Sequence, residues 1–267
     1  MIQLTIMKIT GYGPWTLTLG SDREHELQML QSKLYHKLQE SFSKKKCLVF
    51  LNRSDEYFSV TNGLSLDDHI EIQKELESSF DVKLSMSIGY GENPYDANLD
   101  AYEAKKSQKF LNEQYSIFGT LNGHSEHSVT IMHLDVDDLT SKRKQTMSPY
   151  DTSSLMFKIY SRMSEYFLSK NSLTFFMGGD NFMVVTNSEF KNFAKEFIKI
   201  TKDVNSREQN ESLKDQFEAE VTSSIRCRAI FAYFLVSLLT LISFTTSPST
   251  NRSNTQDKYA GCIRYIV

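Results

Sequence analysis

An offset of 125 positions, the distance from Leu48 to Leu173, lays one half of this chain on the other without a gap. Leu48–Gly63, LVFLNRSDEYFSVTNG, falls on Leu173–Ser188, LTFFMGGDNFMVVTNS. Leu48 then matches Leu173, Phe50 matches Phe175, Asp55 matches Asp180, and Val60-Thr61-Asn62 matches Val185-Thr186-Asn187. The same offset carries Thr5-Ile6-Met7 onto Thr130-Ile131-Met132, and Lys33, Tyr35, Glu40 and Phe42 onto Lys158, Tyr160, Glu165 and Phe167. Two unrelated amphipathic segments would not keep register over strand, helix and hairpin, so the pattern reads as two copies of one unit. A chain of 267 residues has room for two units that each bury a core.

The unit can be read element by element. Ile2–Ile9 is a continuous apolar strand, and Gly11-Tyr12-Gly13-Pro14-Trp15 breaks it, with Trp15 expected to pack over the sheet end. Leu27, Leu30, Leu34 and Leu38 form a helical stripe within Ser21–Phe42. A hairpin follows, then a helix from the Ser65-Leu66-Asp67-Asp68 cap to about Phe80, a strand over Val82–Ile88, and a helix from Asn93-Pro94 to about Leu111. Asn112–Glu126 reads as a mostly polar connection. The second copy runs through a strand at Ser128–Val136, a helix at about Ser154–Leu168, the hairpin Leu173–Asn187 and an amphipathic helix, Glu189–Asp203. The expected fold class is α+β, two tandem βαββαβ units of the ferredoxin-like, palm or cyclase type. The expected domains are 1–115, 127–205 and an atypical tail, 206–267.

The tail breaks the repeat. Where Leu84-Ser85-Met86-Ser87-Ile88 should recur, the chain has Gln209-Asn210-Glu211-Ser212-Leu213. Residues 221–267 hold five of the 30 basic and one of the 33 acidic residues, so the net charge is −7 before residue 221 and +4 from it. Ala229–Phe244 is an apolar and hydroxyl run, somewhat short of the roughly 20 residues that span a bilayer. A shifted reading frame beyond codon 205 explains all three features, and on that reading the tail does not pack as a regular fourth strand.

Composition excludes several classes. A net charge of −3 with interspersed signs argues against a nucleic-acid face. Cys47, Cys227 and Cys262 are odd in number and far apart, which argues against a disulfide framework or a CxxC zinc site and suits a reducing cytoplasm. The six histidines show no metal-ligand spacing. Met1–Thr10 is strand-like rather than a signal peptide, and a membrane location is not expected.

The candidate chemistry sits in the second copy. Its first strand ends in Leu134-Asp135-Val136-Asp137-Asp138-Leu139, and in a βαββαβ sheet this end lies beside the hairpin tip Gly178-Gly179-Asp180-Asn181. Two carboxylates brought together repel unless a cation sits between them. Mg²⁺ suits such a pair, because it takes one or two carboxylates and leaves positions for water and phosphate. Asp135 and Asp180, with Val136 beside them, are the expected metal residues. Backbone amides over Val136, Asp137, Asp138 and Leu139 enter a turn of the kind that binds phosphate. Lys142, Arg143 and Lys144 are placed to neutralise a triphosphate, and Gly178, Gly179 and Asn181 allow close approach at the hairpin. Asp137 or Asp138 is a second ligand or a general base, and the sequence leaves that open. The first copy keeps Asp55 but has Thr10 where the second has Asp135.

The Asp-Val-Asp-Asp strand end and the Gly-Gly-Asp-Asn hairpin resemble the palm of GGDEF diguanylate cyclases and class III nucleotidyl cyclases. The opening MIQLTIMKITGYGPWT, the first hairpin with Thr61-Asn62-Gly63, and MGGDNFM together resemble archaeal GTP cyclohydrolase III, also called GTP cyclohydrolase IIa, over roughly residues 1–205. The resemblance implies hydrolysis of GTP at the imidazole ring and at the triphosphate, with Mg²⁺, in an early step toward riboflavin- and F420-type cofactors. It places catalysis on Asp135, Asp180 and Asp138. It also implies a homo-oligomer, dimer or tetramer. An open sheet face bearing Thr5, Met7, Thr130 and Met132 is the expected contact surface. A nucleotidyl cyclase and a non-catalytic GTP sensor are the alternatives. Many family members carry an acidic residue at the position of Thr10 and end in a glycine-rich strand and helix.

Overall fold

The computed structural model describes residues 1–120, 129–136, 148–187 and 225–231. In chain order these residues form β1 (Ile2–Ile9), α1 (Tyr12–Thr16), α2 (Arg23–Lys44), β2 (Val49–Arg53), β3 (Glu56–Val60), α3 (Leu66–Ser79), β4 (Leu84–Gly91) and α4 (Pro94–Lys106). There follow β5 (Phe110–Asn112), β6 (Ile117–Gly119), β7 (Thr130–Val136), α5 (Pro149–Leu168), β8 (Leu173–Gly178), β9 (Asn181–Thr186) and β10 (Ile225–Phe231). The architecture is α+β, with helices packed on two sheets, one of them mixed.

The first sheet has the order β2-β3-β1-β4-β6-β5. β1 lies between β3 and β4 and is antiparallel to both, an order compatible with a ferredoxin-like arrangement. The second sheet has the order β10-β7-β9-β8, in which β7 is flanked by antiparallel β9 and β10.

Three differences from the sequence reading have physical causes. The helix expected to reach Leu111 stops at Lys106, where Gln108 turns to a left-handed φ of 54°. The segment that follows is then not plain connection but the hairpin β5–β6, with Ile117 and Phe118 buried. α5 begins at Pro149 rather than Ser154, because Ser148 and Asp151 form a capping box that satisfies the first amides. The tail was expected not to pair, yet β10 runs antiparallel to β7 from Ile225–Val136 to Phe231–Thr130. The strand that fills this place comes from further along the chain than the repeat predicts. The Glu189–Asp203 helix lies outside the described residues.

The sheet faces sort into three cores. Met7, Ile9, Leu34, Leu38, Phe42, Tyr57, Leu76 and Met86 close α2 and α3 onto one face of the first sheet. Met132, Leu134, Leu155, Ile159, Met163, Phe167 and Phe182 close α5 onto one face of the second. The remaining faces pack against each other within the chain. This third core contains both members of six pairs related by the offset of 125: Leu4 and Val129, Ile6 and Ile131, Leu48 and Leu173, Phe50 and Phe175, Phe58 and Met183, Val60 and Val185. Phe50 and Phe175 stack on each other with centroids 4.6 Å apart.

The expected open face is therefore corrected. Thr5, Met7, Thr130 and Met132 are all buried, Met7 and Met132 beneath helices of their own half. Thr5 hydrogen-bonds Thr61 and His69, both at 2.8 Å. Part of the first sheet's other face is covered by α4, and Gly89 makes that possible: a Cβ there would meet the Ala97 carbonyl and the Ala101 backbone. Trp15 is half-buried beside Tyr12, at 6.2 Å between ring centroids.

Candidate active site

Both hairpins form where the sequence places them, but their tips are built differently. In the second, β8 ends at Gly178 and β9 begins at Asn181, so Gly179 and Asp180 make the turn. Gly178 and Gly179 have φ of 95° and 65°, a region that strains any residue with a Cβ. Among the described residues, none other than its chain neighbours has an atom within 4 Å of the point where a Cβ on Gly178 would sit. The tip thus offers open space beside a carboxylate.

The register brings the expected partners together. Asp135, next to last in β7, is the Cα partner of Asn181, the neighbour of Asp180. Strand alternation puts His133 on the same face as Asp135. Asn181 links the two sides: its Nδ2 donates to Asp180 Oδ1 at 2.9 Å, and its Oδ1 lies 2.9 Å from His133 Nε2. An amide that donates through nitrogen accepts through oxygen, so His133 carries its proton on Nε2. The Asp180 carboxylate is held in place by this chain rather than swinging free. On its other side Asp135 has Arg226 as its register partner in β10. His133 went unrecognised in the sequence, although its position two residues before Asp135 on a strand was a usable signal.

The first tip is closed by cations. Lys8 Nζ lies 3.8 Å from Asp55 and 3.6 Å from Glu56. Arg53 reaches Asp55 at 3.7 Å and Glu56 at 3.0 Å. At the offset of 125, Lys8 corresponds to His133, Arg53 to Gly178 and Glu56 to Asn181. The second tip therefore has neither cation at the equivalent positions.

The donor set suits a hard, oxygen-preferring ion. Asp135 is a carboxylate on β7 and Asp180 one in the turn that leads into the adjacent strand β9, and no group of three or more His, Cys, Asp or Glu that could cage a metal is present among the described residues. Mg²⁺ is an ion that such carboxylates could hold, since it takes few protein ligands and keeps positions for water and phosphate. Cys47 is buried, and burial pushes its thiol up to about 12, which keeps it protonated and unreactive. Asp137, Asp138, Leu139, Lys142 and Lys144 lie outside the described residues. No helix among the described residues is long and apolar enough to cross a membrane.

The chain is similar in sequence to known proteins over most of its length. Residues 1–218 match the family model of GTP cyclohydrolase III. The GTP cyclohydrolase III of Methanothermobacter thermautotrophicus is 36% identical over 192 residues, covering 70% of this chain and 76% of that protein. That of Methanosphaera stadtmanae is 31% identical over 204 residues, 75% of this chain and 80% of its own length. That of Methanocaldococcus jannaschii is 34% identical over 200 residues, 70% and 71% respectively. The match takes in the repeat and both hairpin tips and ends before β10, and the chain belongs to the GTP cyclohydrolase III family.

Proposed function

We propose that this chain hydrolyses GTP, opening the imidazole ring of guanine and releasing phosphate. The product is 2-amino-5-formylamino-6-ribosylamino-4(3H)-pyrimidinone 5′-phosphate, an early intermediate toward riboflavin- and F420-type cofactors. The supporting observation is the contrast between the tips: Asp180 stands beyond two left-handed glycines, beside the end of β7, with His133 and Gly178 at the positions of the first tip's cations.

On this reading the halves are tandem ferredoxin-like units packed as an internal pair. Six offset-related residue pairs share the third core, as in an isologous interface, where the same patch serves both sides. Asp135, the Val136 carbonyl and Asp180 would hold Mg²⁺, which when bound neutralises triphosphate charge and makes a water more acidic. Asn181 orients the Asp180 carboxylate, and His133 holds Asn181. Gly178 and Gly179 admit the phosphates to the turn. Val136 to Leu139 would present backbone amides to them, Lys142 and Lys144 positive charge, and Asp138 a proton acceptor. The chain works in the cytoplasm as a homo-oligomer, a reading that rests on family resemblance, since the residues expected to join copies are buried within the chain.

Incubation of purified protein with GTP and Mg²⁺ tests the proposal. Released phosphate together with a formylaminopyrimidine absorbance spectrum is the expected result. Pyrophosphate and a cyclic product would make the chain a nucleotidyl cyclase instead, and intact GTP after prolonged incubation would make it a sensor.

A further inference from the structure

A cleft of about 700 Å³ opens in the first half, between α4 and the ends of β1, β2 and β3. Its lining includes four cations from three elements: Lys8 from β1, Arg53 from β2, and Lys105 and Lys106 from α4. Glu56 is the one carboxylate among the lining residues, and Asp55 stands behind it against Lys8 and Arg53. With Glu103 paired to Lys106, four cations face three carboxylates and leave a surplus of one positive charge.

Lys105 carries much of that surplus. Lys8 and Arg53 face Asp55 and Glu56, and Lys106 faces Glu103 at 3.4 Å. Lys105 has no carboxylate within ion-pair reach among the described residues, and its Nζ donates to Ser85 Oγ at 2.6 Å. Burial, and then the neighbouring Lys8, hold its ammonium below the usual lysine range. Asp55 and Glu56 act on Lys105 from beyond ion-pair distance and are already engaged by Lys8 and Arg53, so an anion that enters the cleft meets a half-buried cation whose charge is only partly offset. Water would offset the rest only in part, because Lys8 adds a second positive charge to the same space. The exposed ring of Tyr102 stands at the edge of the cleft with Lys106 Nζ 5.8 Å from its centroid. An aromatic face of this kind can take a nucleobase.

We propose that this cleft is a second, metal-independent site for a phosphate group, held by Lys105, Lys8 and Arg53. It occupies the place in the first half that the open tip occupies in the second, with the sign of the chemistry inverted. There the protein supplies carboxylates and needs a cation to meet phosphate; here it supplies the cations itself. The occupant is inorganic phosphate or the phosphate of a nucleotide.

Isothermal titration of the full chain in EDTA, at constant ionic strength, tests this without involving Mg²⁺. One arm uses inorganic phosphate and the other guanosine 5′-monophosphate, and the tighter of the two identifies the source. Saturable binding with a millimolar or stronger Kd is expected in at least one arm. Lys105→Met should weaken it at least tenfold and Arg53→Gln severalfold, while Asp180→Asn leaves it unchanged. Should Lys105→Met fail to fold by circular dichroism, Arg53→Gln decides alone, since that side chain is 56% exposed and bears no packing role. Absence of saturable heat in both arms would overturn the proposal. So would binding untouched by the cleft substitutions, or binding lost in Asp180→Asn.

Discussion

The two hairpin tips stand at equivalent places in the repeat but differ in backbone and in electrostatics: Gly178 and Gly179 are left-handed, and Arg53 and Ser54 at the same places are not. Asp55 and Asp180 occupy equivalent turns, but Asp55 lies between Lys8 and Arg53, whereas Asp180 is held by a neutral amide. Among the positions that differ are Lys8 against His133, Thr10 against Asp135, Arg53 against Gly178, Ser54 against Gly179 and Glu56 against Asn181. A carboxylate already paired with two cations has little to gain from a metal ion, and the cations would repel it. The lesson is that duplication fixes where a carboxylate stands, while the neighbours on the adjacent strand and in the turn decide what it binds.

The sharpest way to break the comparison is to remove the two carboxylates separately. Asp180→Asn keeps the size and turn preference of the residue but removes its charge. GTP turnover in Mg²⁺ should fall roughly a thousandfold, about 4 kcal/mol in the barrier. Asp55→Asn should change turnover less than about threefold, because Lys8 and Arg53 keep Glu56 as a partner. Equal losses would show that catalysis does not belong to the second tip.

The shared core tests the symmetric side of the comparison. Phe50 and Phe175 are equivalent residues, both buried, and stacked at 4.6 Å. Each Phe→Ala change should cost about 3 kcal/mol or slightly more in a urea unfolding curve. The pair should be coupled by about 1 kcal/mol in a double-mutant cycle, the stacking contribution beyond area. Two very different single costs would mean that the halves contribute unequally to this core.

A smaller effect is expected one step back from the metal. His133→Leu removes the donor to Asn181 Oδ1 and frees the amide that orients Asp180. Outer partners of this kind are typically worth about 10- to 100-fold in metal affinity or activity. The change should appear in the Mg²⁺ concentration needed for half-maximal turnover, with the melting temperature nearly unmoved. A loss in turnover at saturating Mg²⁺ alone would place His133 elsewhere in the mechanism.

Much of this was legible in the residues, and the gaps have causes. The two hairpins, β1 and β4 of the first sheet and the meeting of Asp135 with the Asp180 turn follow from the repeat and from turn chemistry, whereas β5 and β6 read as a polar connection. The orientation of the faces did not. β1 reads Ile-Gln-Leu-Thr-Ile-Met-Lys-Ile and is buried on both sides, so the alternation that marks an exposed face is missing. Thr5 resembles a surface residue and is in truth satisfied inside by Thr61 and His69. The fourth strand of the second sheet lies beyond the repeat and beyond the family match, so neither register nor resemblance could locate it. The salt links at the first tip depend on how long side chains lie across strands, which spacing alone does not give.

The smallest expected effect is the most discriminating about why the first tip is closed. Two explanations compete: Thr10 lacks the carboxylate that Asp135 supplies, or Lys8 and Arg53 already neutralise Asp55. Thr10 is exposed at the end of β1, one residue past Ile9, whose amide donates to the Asp55 carbonyl at 3.0 Å. Thr10→Asp therefore restores the missing charge beside the turn without disturbing the core. If the cations are the cause, an aspartate there meets a carboxylate that is already paired, and Mg²⁺ gains little. In an Asp180→Asn background, which silences the second tip, Thr10→Asp should shift the Mg²⁺-dependent melting temperature by less than about 1 °C. Adding Lys8→His and Arg53→Gly should then produce a saturable Mg²⁺ stabilisation of several degrees. A clear Mg²⁺ response from Thr10→Asp alone would assign the difference between the halves to one absent carboxylate, and the ion pairs would be its consequence.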